Sequence, residues 1–393
     1  MKKDYLFTPG PTPVPERIML AMAQPIMHHR KPAFSAILKE CFAELKWLYR
    51  TANDVLIFAS SGTGALEGAV TNFLSPGDRV ITVNAGKFGE RWTQICNAFG
   101  MKVEEIKVEE GKSVSVEAVG EYIKRHKDAR AFYIQASETS TGVAHPIKSI
   151  AALIKKERPD ILVVVDAVTA MGVMDIPTDE WGLDIVVAGS QKALMLPPGL
   201  SFASVSEKAW RMNKESKTHR FYFDWAKERK NMAKDTTAFT PAVSLIVGLR
   251  EALKMLKEEG LDNVFRRHGL LARATREAMK ALNLSLFAAD APSNSVTSVS
   301  YPNASALIKA LKSEFGVTIA DGQGELKGKI FRIANLGYYT PIDTIAGVAA
   351  IEMGLKKLEH KFEIGAGLAV AQRIIMEEDP DKWSPPQDNY CAL

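Results

Sequence analysis

The stretch DIVVAGSQKALMLPPGL, from Asp184 to Leu200, places a lysine just beyond the end of a predicted buried strand. An apolar run typical of a buried strand ends here at Gly-Ser-Gln, and Lys192 follows at once. The next loop contains Pro-Pro-Gly, which is typical of a turn. A lysine in a loop is usually solvated, but one held in a crevice can lose its proton and attack a carbonyl group. The rest of the sequence has to decide between these two interpretations of Lys192.

The composition is that of a globular protein with no affinity for nucleic acid. The chain has 393 residues, which predicts two domains, with 46% hydrophobic residues, 24% charged residues and a net charge of +4. This weak charge predicts no nucleic-acid partner, and no apolar run is long enough to span a membrane. Three widely spaced cysteines indicate neither a disulfide framework nor a zinc site. This cysteine spacing leads us to expect no metal site. The first residues break into Pro and Gly before a secretory signal can form, so we expect a cytoplasmic protein.

Strand and helix patterns alternate through the first half of the chain. Seven strands are predicted, one from the alternating stretch MKVEEIKV and the others from the runs VLIFA, DRVITVNAG, RAFYIQ, DILVVVDAV, LDIVVAGS and LSFASVS. Amphipathic stretches between most of them predict helices, and repeated β-α-β units indicate a mainly parallel sheet with helices on both faces. Ligands of such sheets bind beyond the carboxyl ends of the strands.

The pattern changes from about residue 245, where two long amphipathic helices are separated at Gly260. A strand-helix-strand-strand set and another helix follow, which predicts a smaller α+β domain. We therefore divide the chain into four segments: an N-terminal segment (1–17), a large domain (18–258), a small domain (259–375) and a polar tail (376–393).

Two turns that follow predicted strands of the large domain are candidates for ligand binding, one rich in glycine and one with an acidic residue. SSGTG, residues 60–64, opens a helix after VLIFA, and the free N–H groups there can cradle a phosphate. The same glycines fit a loose dinucleotide-binding pattern or a simple turn. Asp166 ends ILVVVD, where an unpaired carboxylate is costly, so it is either a turn residue or the partner of a ligand cation.

Arg332 lies in the apolar strand GKIFRIANLG of the small domain. Its side chain either points outwards or presents a bidentate fork to a carboxylate between the domains. A phosphate cradle, a lysine, an acid and an arginine together fit pyridoxal phosphate and an amino-acid substrate.

The motifs, taken in order, resemble those of one enzyme family. SSGTGALEGAV, ETSTGV, VVDAVTAMG, GSQKALMLPPGL, FTPAVSLIVGLREAL and GKIFRIANLG occur along nearly the whole chain. In order and spacing they resemble the class V, fold-type I pyridoxal-phosphate aminotransferases of the alanine–glyoxylate and serine–pyruvate or serine–glyoxylate kind. The resemblance implies a homodimer that transfers an amino group between a small amino acid and a small 2-oxo acid by a ping-pong mechanism.

The resemblance also implies roles for individual residues. Lys192 would form the Schiff base with the cofactor, and Asp166 would pair with the ring nitrogen. The other cofactor-binding residues would be Ser61, Gly62, Thr63 and Gln191 at the phosphate, Thr139 near the ring oxygen, Phe88 stacked on the ring, and Thr240 at the phosphate of the neighbouring subunit. Arg332 would bind the substrate carboxylate, and the backbone around Gly10 would line the substrate pocket. Thr237 stands where some relatives have a phosphate-binding tyrosine.

Three rival functions remain at this point. An NAD(P)-dependent oxidoreductase would need an acidic residue after RVITVNAG, where Asn84 and Gly86 stand instead. A cysteine desulfurase would need a cysteine in ADGQGELKGK, which has none. A non-catalytic subunit of the same fold is the third rival, although all the candidate residues are present. For His28, His29 and Arg30, satisfied surface or core histidines are favoured over a role in the pocket, and their role stays open; the tail receives no function.

Overall fold

A computed structural model describes residues 3–378. Its first elements contact both the large and the small domain. They are strand β1 (Tyr5–Leu6) and helices α1 (Glu16–Met22) and α2 (Pro32–Tyr49). Strand β1 pairs with a strand of the small domain, through Tyr5 opposite Val317, whereas α2 buries its apolar face in the core of the large domain.

The large domain contains strands and helices in alternation. The strands are β2 (Asp54–Phe58), β3 (Arg79–Asn84), β4 (Lys102–Lys107), β5 (Ala129–Gln135), β6 (Ser137–Glu138), β7 (Val143–Ala144), β8 (Leu162–Asp166), β9 (Ile185–Gly189) and β10 (Ser201–Val205). The helices are α3 (Gly62–Thr71), α4 (Lys87–Ala98), α5 (Val116–Arg125), α6 (Ile147–Glu157), α7 (Thr178–Trp181), α8 (Glu207–Asn213), α9 (Trp225–Met232) and α10 (Val243–Glu259).

Seven of these strands form one sheet in the order β2-β10-β9-β8-β5-β3-β4. All its pairs are parallel except those of β10, which is antiparallel to β2 and to β9. Ser201 at the start of β10 therefore lies opposite Phe58 and Gly189, at the carboxyl ends of β2 and β9. The loop that carries Lys192 stays at that edge because it joins the end of β9 to the start of β10.

The small domain has an antiparallel sheet with helices packed on it. Its elements are α11 (Leu261–Ala281), β11 (Ser285–Leu286), β12 (Val296–Ser300), α12 (Ala304–Ala310), β13 (Val317–Thr318), β14 (Ala320–Asp321), β15 (Ile330–Ala334), α13 (Pro341–Lys357) and α14 (Ala366–Glu377). The sheet has the order β11-β12-β15-β14. Helix α13 begins at a capping box, in which Thr340 and Asp343 satisfy each other's backbone N–H groups.

The buried side chains form two hydrophobic cores. The larger contains α2, the seven-stranded sheet and α10, with Tyr49, Trp92 and Trp225 among its largest fully buried side chains. The smaller packs α11 and α13 onto the four-stranded sheet, and Phe7 from the N-terminal segment joins it. Burial of apolar surface at roughly 25 cal/mol per Å² is the main stabilising contribution of both.

The predicted α/β fold is confirmed, with all seven strands of the mainly parallel sheet and a smaller α+β domain. The proposed segment limits stay predictions. Helix α14 extends to Glu377, so Met376 and Glu377 of the predicted tail are helical, and residues 379–393 lie outside the described part of the chain. Within residues 3–378, no helix has the length and apolar character needed to cross a membrane, and no cluster of His, Cys, Asp and Glu has the form of a metal site.

Candidate active site

One cleft lies at the carboxyl ends of the parallel strands, and its open volume is about 460 Å³. It is lined by Ser61, Gly62, Thr63, Leu66, Phe88, Arg91, Ser137, Thr139, Asp166, Val168, Thr169, Gln191 and Lys192. The cleft brings together the predicted lysine, the predicted acid, the predicted phosphate cradle and the predicted stacking aromatic, although they come from four separate segments of the chain.

Lys192 is buried, with 9% of its surface exposed, and its amine donates to the carbonyl oxygen of Pro9 at 2.7 Å. Thr12 also bonds to this loop, because its side-chain hydroxyl donates to the Lys192 carbonyl oxygen at 3.0 Å. Gly10 has φ +143°, and a Cβ there would collide with the Lys192 amine. The N-terminal segment therefore covers the lysine closely, and only glycine leaves room for the amine.

Burial lowers the pKa of Lys192 to about 8, although the nearby Asp166 carboxylate raises it. A large share of this amine is therefore neutral near pH 8, where an exposed lysine is almost fully protonated. A neutral amine is the form that can attack a carbonyl group or accept a proton.

Asp166 ends strand β8 and has 6% of its surface exposed. Its carboxylate accepts a hydrogen bond from the N–H of Val168 at 2.8 Å. Burial raises the pKa of Asp166 to about 6, which the Val168 N–H, Arg91 and Lys192 partly oppose. A buried carboxylate with a single hydrogen-bond donor is well suited to pair with a ligand cation.

The N-terminus of helix α3 forms the opposite wall of the cleft. Ser61 is its N-cap residue, and no side chain caps the helix. The N–H of Gly64 donates to the Ser61 carbonyl oxygen at 2.9 Å, whereas those of Gly62 and Thr63 have no partner among the described residues and are free for a ligand. A Cβ at Gly62 would come within 2.8 Å of the Val168 side chain, so glycine permits the close packing of this turn. Free N–H groups and the helix dipole together favour an anion at this position.

Phe88 and Thr139 lie on other sides of the same cleft. Phe88 is half-buried in the first turn of α4, and the Cζ atom of Arg91 lies 5.0 Å from its ring centroid. The Thr139 hydroxyl forms a hydrogen bond of 2.7 Å with that of Thr169, and both are buried. Gln191 adds a buried side-chain oxygen without a hydrogen-bond partner among the described residues.

These features fit pyridoxal phosphate. The free N–H groups of α3 suit its phosphate, the buried carboxylate of Asp166 suits a protonated ring nitrogen, and the amine of Lys192 suits its aldehyde. The partnerless oxygen of Gln191 is a further polar group that a ligand can satisfy.

Three predicted site residues do not line the cleft directly. Gly10 approaches it behind Lys192. Arg332 is 5% exposed, and three of its N–H groups already donate to backbone oxygens, two to Asp321 and one to Thr139. Burial lowers the pKa of Arg332 to about 10. Thr240 is exposed and lies instead beside a second cavity, with Tyr222 and Thr237.

Two charged residues of the site were missed by the sequence analysis. Arg91 looked like an ordinary polar residue of a surface helix, although its position three residues after Phe88 places both on one helix face. Glu138 stands inside the quoted motif ETSTGV, yet nothing in the sequence indicates that it is fully buried. Its carboxylate accepts hydrogen bonds from the N–H groups of Phe88 and Gly89 at 3.3 and 2.9 Å, which ties helix α4 to the Thr139 turn.

Comparisons with known proteins agree with this site. A family model described as aminotransferase class-V matches residues 4–327. The protein described as soluble hydrogenase, small subunit, of Synechococcus sp. (strain PCC 6716) is 44% identical over 379 residues, which cover 95% of this chain and 98% of that protein. The serine–glyoxylate aminotransferase of Arabidopsis thaliana is 32% identical over 387 residues, which cover 96% of each chain.

A solved structure is similar over the same length. The ureidoglycine–glyoxylate aminotransferase of Bacillus subtilis matches with a TM-score of 0.91 at 28% identity, over 96% of this chain and 99% of that one. The predicted family is confirmed, and the alternative of an NAD(P)-dependent oxidoreductase is not favoured. With its fold and the matches over most of its length, the chain belongs to the class V, fold-type I aminotransferases, which are enzymes that depend on pyridoxal phosphate.

Proposed function

We propose that the enzyme transfers the amino group of a small amino acid, namely alanine, serine or glycine, to glyoxylate or pyruvate. The observation that carries the proposal is the pairing, in one cleft, of a buried amine whose pKa is lowered to about 8 with a buried carboxylate. Bound pyridoxal phosphate supplies an aldehyde that condenses with amines and a ring that accepts electrons.

In this proposal Lys192 acts twice. Its neutral amine binds the cofactor, and once the substrate amine has taken that place, it accepts the α-proton of the substrate as a general base. The carbonyl oxygen of Pro9, at 2.7 Å, holds the amine in position before the cofactor binds. The lowered pKa supports this role, because a base with a pKa near the working pH transfers protons efficiently.

Asp166 would stabilise positive charge on the ring nitrogen of the bound cofactor, and Phe88 would stack on its ring. Thr139 would lie near the ring oxygen, and the phosphate would be held by Ser61, Gly62, Thr63 and Gln191. Arg332 binds the substrate carboxylate with the N–H groups that its bonds to Asp321 and Thr139 leave free. Gly10 and the adjoining backbone line the substrate pocket beside Lys192.

Homodimerisation and a cytoplasmic location belong to the same proposal. Thr240 would complete the phosphate site of the other subunit, which its exposure supports. Phe221, near Thr240 on the surface and in ring contact with Phe239, has 78% of its surface exposed, and exposed aromatic side chains are typical of protein interfaces.

The name of the Arabidopsis relative, serine–glyoxylate aminotransferase, supports the proposed substrate pair. The name of the Synechococcus relative supports a second candidate, in which this chain is a subunit of a larger enzyme. Turnover by the purified chain alone distinguishes the two.

The experiment is a matrix of initial rates with purified enzyme and added pyridoxal phosphate. Alanine, serine, glycine and aspartate are each paired with glyoxylate, pyruvate and 2-oxoglutarate. We expect the highest rates for the small pairs, with parallel double-reciprocal lines typical of a ping-pong mechanism. Lys192→Ala should lose at least about 1,000-fold in rate. The control Lys107→Ala, whose side chain is 84% exposed, should keep the wild-type rate. A wild-type rate for Lys192→Ala would refute the assignment, and inactivity of the wild type with every pair would favour the subunit role.

A further inference from the structure

Arg91 is a positive charge in the cleft that the roles above do not use. It belongs to helix α4, lines the cleft and donates from Nη1 to the hydroxyl of Thr63 at 3.3 Å. Its guanidinium also lies 5.0 Å from the ring centroid of Phe88, a cation–π distance. The two contacts hold the guanidinium between the aromatic ring and the first turn of α3.

The charge of Arg91 acts on Asp166, whose pKa it helps to lower, but not through an ion pair among the described residues. Among residues 3–378, no carboxylate lies within 4.0 Å of its guanidinium nitrogens, whereas the arginines at positions 17, 50, 79, 130, 158, 229, 267 and 273 all have carboxylate partners. Arginine has N–H donors in a planar fork that matches the oxygens of carboxylates and phosphates. A half-buried guanidinium that faces a cleft without a carboxylate partner is therefore suited to an anionic ligand.

The position of Arg91 favours a phosphate over a substrate carboxylate. Its partner Thr63 belongs to the first turn of α3, where the free N–H groups already favour an anion. The substrate carboxylate has another candidate, because Arg332 bonds to the backbone of Thr139 on a different side of the cleft. A phosphate carries up to two negative charges, which one helix N-terminus, equivalent to about half a charge, does not balance.

We propose that Arg91 is a phosphate-binding residue, whose guanidinium holds the phosphate of pyridoxal phosphate together with the N-terminus of helix α3. The inference rests on the proposed cofactor site. It adds a charged ligand to a site that otherwise consists of backbone N–H groups and neutral side chains. The cation–π contact with Phe88 orients the guanidinium of Arg91. Phe88, which would stack on the cofactor ring, therefore also positions the side chain that would bind the phosphate.

The test compares two cofactors that differ only in the phosphate. Dissociation constants of pyridoxal phosphate and of pyridoxal are measured by protein fluorescence on the apoenzyme, for the wild type, Arg91→Gln and Arg91→Lys. The matched control is Arg125→Gln, since Arg125 also lies over an aromatic ring, Tyr122 at 5.5 Å, but is itself exposed on helix α5. Inorganic phosphate, added as a competitor, reports on the phosphate site alone.

We expect Arg91→Gln to raise the dissociation constant of pyridoxal phosphate by roughly 10- to 100-fold and that of pyridoxal by less than about twofold. The reason is that the lost interaction is a charge-assisted hydrogen bond to the phosphate. Arg91→Lys should lie between the wild type and Arg91→Gln, because it keeps the charge without the fork. Inorganic phosphate should compete less well in Arg91→Gln, and Arg125→Gln should match the wild type throughout.

An equal loss of affinity for pyridoxal phosphate and pyridoxal would overturn the inference, because Arg91 would then act on the cofactor ring and not on the phosphate. Unchanged affinity for both would also overturn it, and so would a loss confined to the KM of a dicarboxylic substrate. A wild-type protein that binds neither cofactor would instead refute the proposed function. Thermal unfolding of each variant checks the fold, and Arg91→Lys serves the same comparison if Arg91→Gln does not fold.

Discussion

The turn after β8 and the turn between β6 and β7 each bury a carboxylate at the same edge of the sheet, but in different surroundings. Asp166 in the first turn accepts one hydrogen bond, from the N–H of Val168. Glu138 in the second accepts five, from the N–H groups of Phe88, Gly89 and Ser140, from the Ser140 hydroxyl and from the Gln135 amide. Burial raises the pKa of both groups, to about 6 for Asp166.

The difference separates a structural carboxylate from a functional one. Glu138 has its hydrogen-bonding capacity filled by the protein, so it holds helix α4 and the Thr139 turn in place. Asp166 has capacity left over at a buried position, which is unfavourable until a ligand cation arrives. The same residue chemistry at one sheet edge thus serves two purposes, and substitution by the corresponding amide should distinguish them.

The largest effect is expected from Asp166→Asn, measured as kcat with saturating cofactor and substrates. It should lower kcat by roughly 1,000-fold, because it removes a preorganised charge that stabilises the reacting ring. Circular dichroism and chemical unfolding of the variant should match or exceed the wild type. The matched change Glu138→Gln, with a smaller loss of kcat, is the control. Equal losses in both variants would contradict the distinction between the two turns.

The next effect is a loss of stability in Glu138→Ala, measured by urea unfolding of the apoenzyme. The free energy of unfolding should fall by about 3 kcal/mol, since the N–H groups of Phe88, Gly89 and Ser140 lose their acceptor in a buried site. Glu138→Gln keeps one acceptor oxygen and should recover part of the loss. If Glu138→Ala were as stable as the wild type, the carboxylate would not be holding α4.

The smallest effect is a pH dependence of stability that belongs to Asp166. Its pKa is about 6 in the folded apoenzyme and about 3.9 in an unfolded chain, so the folded state binds more protons between these values. The stabilisation is complete below about pH 4 and is lost as the pH rises through 6. Relative to Asp166→Asn, the wild type should lose about 2 kcal/mol over this range in urea unfolding experiments. A difference that stays constant from pH 4 to 7 would show that the pKa of Asp166 is not raised.

Much of the fold and part of the site were predictable because local sequence patterns determine them. Apolar runs bounded by Gly, Pro and Asp defined the seven strands, and their parallel arrangement brought the following loops to one edge. The positions of Lys192, Asp166 and Ser61 followed from that rule alone. The pairing of β1 with β13 was not predictable, because it joins two-residue strands far apart in the chain.

The residues missed at the site depend on contacts that no sequence period encodes. Glu138 is buried only because helix α4 directs its first N–H groups at the carboxylate. Arg91 reaches the cleft only because α4 begins beside α3, so that its fork meets Thr63. Strand β10 matched the apolar pattern of its neighbours, and its antiparallel direction is set by the short loop that carries Lys192.

The most direct test of the central claim is to find which lysine holds the cofactor. The enzyme loaded with pyridoxal phosphate is reduced with borohydride, digested and mapped by mass spectrometry. We predict a phosphopyridoxyl group on the peptide that contains Lys192, and none on that peptide in Lys192→Ala. A label on another lysine, or no label on the wild-type chain, would contradict the account.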